Sequence, residues 1–115
     1  MAIQSWSKDI LVVDLGDDPQ FTEDVNRVSD LVESRGDQDV ILNFEQIRSL
    51  NSSNIARLLR LRKLINQQNR RLRFCRINTH IWGIFLVTGL DNLFQFVDDK
   101  ATALADLQIQ EKPEQ

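Results

Sequence analysis

The sequence predicts an α/β layer fold: one domain with a mixed, mostly parallel sheet of four to five strands and about four helices. Three observations carry that prediction. Short apolar runs suited to strands alternate along the chain with longer stretches of helical period, the pattern of crossover-connected parallel strands. One of the runs, around Val40 to Phe44, is apolar on both faces, as a central strand must be. At 115 residues the chain can bury one real core and not two.

Taken in order, Ile3 to Trp6 and Ile10 to Leu15 read as two short strands, the second with Leu11, Val13 and Leu15 alternating toward one face. The Ser7-Lys8 connection is short enough for a hairpin. Gly16-Asp17-Asp18-Pro19 breaks the chain, and a helix follows with Phe21, Val25, Val28 and Val32 on one side. Gly36 stands where a left-handed cap would end that helix. Val40, Leu42 and Phe44 share a face of the next strand, with Ile41 on the other. A second helix carries Ile55, Leu58, Leu59 and Ile65 as its apolar stripe, with Arg57, Arg60, Lys63 and Gln67 opposite. Leu72 to Ile77 is a strand, Thr79 to Thr88 an apolar helix closed by Gly89, and Leu93 to Val97 a last strand. Asp98 or Asp99 can cap a final helix bearing Ala101, Leu104, Ala105 and Leu107. From Gln108 the chain turns polar and includes Pro113, so the domain is expected over residues 1–108, with 109–115 a flexible tail.

Composition removes several classes of function. Cys75 is the only cysteine and His80 the only histidine, and no carboxylates cluster at ligand spacing, so neither a metal site nor any cofactor is expected. Cys75, in mid-strand, reads as a small core residue. No glycine-rich phosphate loop is present, and residues 46–90 hold no carboxylate for acid–base work, so an enzyme is not expected. The N-terminal MAIQSWSKD lacks the marks of a signal peptide, and the longest apolar run, Ile81 to Val87, is too short to span a bilayer; a cytoplasmic protein with no membrane insertion is expected. The net charge of -3 conceals a segregation. All seventeen acids lie outside residues 46–90, while that segment holds nine bases, from Arg48 to Arg76. The positive segment allows a nucleic-acid-binding reading of residues 48–76, although it has neither interleaved exposed aromatics nor a recognition motif.

The most informative stretch is Asn51-Ser52-Ser53-Asn54, two hydroxyls at a strand-to-helix turn. On spacing alone, helix capping by serine or asparagine explains it, and capping is the commoner use of such residues. A functional reading adds that a phosphate at a helix N-terminus meets unpaired backbone N–H groups and the positive end of the helix dipole. Such a modification adds about -1.5 to -2 charges without requiring the domain to unfold.

With these pieces in order, the chain resembles the STAS domain, the fold of the bacterial anti-sigma factor antagonists. In that family a strand ending Leu-Asp-Leu leads through a turn with Asp-Ser-Ser-Gly into a helix. A strand rich in Val and Cys follows, then an apolar helix ending in Gly-Leu. The matching pieces are Leu42-Asn43-Phe44, Ile47 to Asn54, Phe74-Cys75 and Gly89 to Phe94, within a likeness spanning residues 9–107. The departures are Asn51 for the acid before the serines, Asn54 for the glycine after them, and Asn43 for the strand aspartate.

The resemblance implies a phosphorylation-switched protein-binding module that regulates transcription. It would bind an anti-sigma factor that is also a serine kinase of the ATPase fold, and a phosphatase would reset it. By position the acceptor is Ser52, with Ser53 the second choice, and Asn51 and Asn54 form the turn and cap. A kinase that reads the acid before the serine finds Asn51 instead. The family also implies an alternative, a non-switching interaction subunit of a signalling or transport assembly. Leu61 and Leu64 fall off the apolar stripe as drawn. Either they pack on the helix Ile81 to Val87, or with Arg57, Arg60 and Lys63 around them they form the partner-binding surface.

Overall fold

The computed structural model describes residues 3–110, for the last two of which only the backbone is considered. Strand β1 (Ile3–Ser7) pairs antiparallel with β2 (Ile10–Asp14), and a register shift between Ser5 and Ser7 bends the hairpin edge. The chain continues through α1 (Gln20–Arg35), β3 (Asp39–Asn43), α2 (Ser52–Gln67), β4 (Leu72–Cys75), α3 (Thr79–Val87), β5 (Phe96–Val97) and α4 (Lys100–Gln110). The five strands lie in sequence order, with β2 through β5 all parallel and β3 at the centre. The expected α/β architecture is therefore observed, hairpin included.

Strand periodicity divides the core in two. Leu11, Val13, Val40, Leu42, Leu72 and Phe74 face α1, α2 and α3. Ile10, Val12, Ile41 and Cys75 face the other way and pack under Ala103 and Leu107 of α4. Gly36 takes φ 73° and Gly89 φ 74°, left-handed conformations that end α1 and α3 and that a side chain would strain.

Four expected details differ. β4 stops at Cys75, because Arg76 adopts φ 58° and leaves the extended region. The last strand contracts from Leu93–Val97 to Phe96–Val97: residues Leu90–Asn92 coil into a 3-10 turn, and Phe94 turns inward to stack on Phe74 with ring centroids 4.5 Å apart. On α4 the buried residues are Ala103 and Leu107, while Ala101 and Ala105 face solvent. The helix itself runs to Gln110, so the tail expected over 109–115 is helical at its start and otherwise lies outside the described residues. Among the described residues no helix is long and apolar enough to cross a membrane.

Candidate functional site

The site is built at the carboxyl end of β3, where a parallel sheet hands the chain to a helix. The Phe44 N–H donates to the Cys75 carbonyl, and Ile47, buried, donates its own N–H to the Phe44 carbonyl. The Arg48 N–H reaches across to Asp17 Oδ1 at 2.9 Å, and Asn78 Nδ2 donates to the Ile47 carbonyl at 3.0 Å. Those bonds fasten the connection to both the β2–α1 loop and the start of α3. The Asn78 side chain also accepts from the Ile81 N–H at 2.8 Å, so one residue caps α3 and ties it to the loop.

Asn51 is the N-cap of α2. Its Oδ1 accepts from the Asn54 N–H at 2.8 Å, and Asn54 Oδ1 accepts from the Asn51 N–H at 3.0 Å, a reciprocal capping box made of two asparagines. The capping expected of Asn51 and Asn54 is thus observed, and it spares the serines. Ser52 and Ser53 occupy the first two helical positions with exposed side chains. Of the first four backbone N–H groups, the box satisfies two and leaves those of Ser52 and Ser53 without a protein acceptor among the described residues.

Asn54 does more than cap. It is 4% exposed, and its Nδ2 donates to Asp18 Oδ2 at 2.9 Å. The other Asp18 oxygen accepts from the Thr22 N–H and hydroxyl, at 3.0 and 2.7 Å. The Asn54 amide first, and the Thr22 hydroxyl next, hold the Asp18 carboxyl below its usual range. A carboxylate therefore borders the α2 N-terminus, and the turn is less positive than its local sequence implies.

The expected partner-binding set separates. Leu61 is 0% exposed and belongs to the main core, so it cannot be a surface anchor. The stripe of α2 is Asn54, Leu58, Leu61 and Ile65, spaced four, three and four. Counting only apolar residues left out Asn54 and pulled the apparent stripe toward Ile55 and Leu59, which are half-buried flanks. Leu64 is half-buried against the same core. Arg57 is half-buried beside α1, in a recess of about 170 Å³ with Asn26 and Ser29, while Arg60 is exposed.

The positive segment is also broken up in space. Arg70 and Arg71 both pair with Asp39, Arg73 with Asp106 and Arg76 with Glu45, and Arg62 Nε donates to the Leu93 carbonyl at 2.7 Å. Four of the nine bases thus lie against carboxylates from outside the segment, which interrupts the positive surface that the sequence implied.

Two features were not read from the sequence. The first is the outer surface of α3, where Leu86 and Val87 are 49% and 88% exposed and a shallow apolar depression is lined by His80, Gly83, Ile84 and Val87. A helix apolar on every side was the available signal. The second is a polar cluster at the carboxyl ends of the strands. Asn43 Nδ2 donates to Asp14 Oδ1 at 2.8 Å, which also takes Lys100 Nζ at 3.2 Å. Cys75 Sγ lies 3.9 Å from Asn43 Oδ1, and burial pushes its thiol up to about 11. Among the described residues no group of three or more His, Cys, Asp or Glu could hold a metal ion.

Comparison with known proteins places this geometry. Residues 12–103 match the family pattern of the STAS domain. An anti-sigma F factor antagonist of Paenibacillus polymyxa is 24% identical over 103 residues, covering 87% of this chain and 88% of its own. An anti-sigma factor antagonist STAS domain protein from Planctomyces limnophilus superposes with a TM-score of 0.78 at 16% identity, over 92% of this chain and 97% of that one. The Bacillus cell fate determinant SpoIIAA, solved in its phosphorylated form, gives a TM-score of 0.69 at 15% identity, over 90% of this chain and 95% of its own. The chain belongs to the STAS domain family, beside relatives that are anti-sigma factor antagonists.

Proposed function

We propose that this protein is an anti-sigma factor antagonist whose binding is switched by phosphorylation of Ser52. It is a cytoplasmic interaction module, with no catalytic step of its own. Unmodified, it binds an anti-sigma factor that is also a serine kinase of the ATPase fold; modified, it lets go, and a phosphatase resets it. The observation that carries the reading is the α2 N-terminus itself. Two asparagines do the capping, so the Ser52 hydroxyl is exposed and adjoins two backbone N–H groups that have no acceptor among the described residues. A phosphoryl group on Ser52 would meet donors and a helix dipole, so the fold would keep its form while the surface gains charge. The phosphorylated form of the neighbour SpoIIAA supports the same reading.

The partner surface surrounds this turn. Arg60 and the rim of Arg57 supply positive charge, and the outer surface of α3 supplies the apolar area that Leu61 does not. α3 adjoins the turn through the Asn78–Ile47 bond. Peptide mapping after incubation with an anti-sigma factor kinase is expected to find one phosphate, on Ser52. Modification confined to Ser53 overturns the assignment. One observation favours a second reading: the asparagine at position 51 removes the acid that a family kinase would read. If the protein binds its partner tightly but is never phosphorylated by an active kinase, it is a non-switching interaction subunit.

A further inference from the structure

At the opposite end of the parallel strands from Ser52, the entry to β4 gathers four arginines around a cleft. The cleft holds about 180 Å³ and is lined by Arg62, Arg70, Arg71 and Arg73 together with Phe94 and Gln95. A wider recess of about 530 Å³ shares Arg71, Arg73 and Gln95 with it and extends toward Thr102 and Asp106 on α4. The length of β3 lies between this place and the serine turn, roughly 16 Å for five residues at about 3.3 Å each.

The charges there do not balance. Asp39, whose side chain is 1% exposed, lies against two guanidinium groups: Arg71 Nη2 donates to Oδ2 at 2.9 Å, and Arg70 Nε stands 3.1 Å from Oδ1 without hydrogen-bond alignment. Arg73 Nε donates to Asp106 at 2.6 Å. Arg62 is held through Nε by the neutral Leu93 carbonyl, and among the described residues its two terminal nitrogens have no partner. Among the described residues, four cations therefore face two carboxylates. Arg70 Nη2 and Arg71 Nη1 are buried with no hydrogen-bond acceptor among the described residues. Buried donors are nearly always satisfied, so two such nitrogens beside an open cleft, with two positive charges in excess among the described residues, describe half of an interaction.

We propose that this cleft binds a doubly charged oxyanion of the phosphate class. A dianion restores neutrality, which a monocarboxylate would not. The planar forks of arginine present paired donors that match phosphate oxygens, and small rotations of Arg70 and Arg71 would turn their unpaired N–H groups toward the ligand. Arg62 closes the cleft from the α2 side, and the wider recess has room for the body of a phosphate monoester.

The test is a backbone NMR titration of the full chain with sodium phosphate, against sodium chloride at equal ionic strength. Saturable shifts are expected at the amides of Arg70 to Arg73 and Gln95, with Ser52 and Ser53 unmoved. Arg70→Gln and Arg62→Gln, on different elements, should each weaken binding about tenfold, while Arg27→Gln, an equal change of charge at an exposed position of α1, should leave it unchanged. A second titration with glycerol 3-phosphate separates the sources. Tighter binding than inorganic phosphate assigns the recess to the body of an ester, and equal binding assigns the site to phosphate itself. Shifts that chloride reproduces, shifts confined to Ser52 and Ser53, or affinity unaltered in both Arg70→Gln and Arg62→Gln would overturn the proposal. None of these outcomes bears on whether Ser52 is phosphorylated.

Discussion

The two ends of the sheet use polar residues in opposite ways. At the carboxyl end, Asn51 and Asn54 bond to each other's backbone and leave two serine side chains free at the surface. At the amino end, Asp39 is sealed from solvent and draws Arg70 and Arg71 inward, and its Oδ1 also accepts the Arg71 N–H at 2.8 Å. In the first region polar groups spare two exposed hydroxyls from structural duty. In the second they are the structure. The contrast teaches that accessible hydroxyls depend on neighbours that take over the work of capping.

Substitutions can break or sharpen this contrast. The largest effect is expected from Asp39→Ala, which leaves two partly buried guanidinium groups with no carboxylate; chemical denaturation should register a loss of about 3–5 kcal/mol. Leu61→Ala, midway along α2 between the two ends, should cost about 2–5 kcal/mol, since the site is fully buried. A loss near zero would mean that Leu61 is a surface residue after all. Asn51→Ala should remove about 1 kcal/mol by deleting the cap, and Asn51→Ser should recover most of it. Ser52→Ala should change stability by less than about 0.5 kcal/mol. A Ser52→Ala loss equal to that of Asn51→Ala would show that the serine is a structural residue, and the contrast would fail.

The same region makes a prediction about acid. The Asp18 carboxyl titrates below its ordinary value of 3.8 in the folded protein, so it contributes stability above that pH. The contribution is lost as pH falls below 3.8 and through the folded value. In Asn54→Ala the largest cause of the shift is gone, so Asp18 should titrate nearer 3.8 and this acid-dependent loss should shrink. Carboxyl carbon shifts followed by NMR from pH 6 to pH 2 would measure both. An Asp18 titration curve identical in the two proteins would remove the Asn54–Asp18 bond from the account.

What the sequence made legible follows from how local each signal is. The strand and helix order could be read because periodicity and turn residues act within a few positions, as Phe21, Val25, Val28 and Val32 do in α1. The Asn51–Asn54 cap spans four residues and is equally visible. Asp18 could not be placed, since it reaches Asn54 across 36 residues, and Asp39 meets Arg71 across 32. Four of the nine positive charges looked unpaired for that reason: their carboxylates are distant in sequence. Leu61 was misassigned by a different cause. The buried stripe of α2 begins with a polar residue, and hydropathy cannot register an asparagine whose bonds are satisfied inside the fold.

Cys75 gives the protein a built-in clock for its own opening. It is the only thiol in the chain, fully buried against Ala103 and Leu107, and at neutral pH a group that ionises near 11 is thiolate in roughly one molecule in ten thousand. A thiol reagent must therefore wait until α4 lifts or the domain unfolds. With reagent in excess, the dependence of labelling rate on denaturant distinguishes these two events, because lifting one helix exposes far less surface than global unfolding. Comparing the unmodified and phosphorylated forms would then read how far a charge at Ser52 is felt on the other side of the sheet.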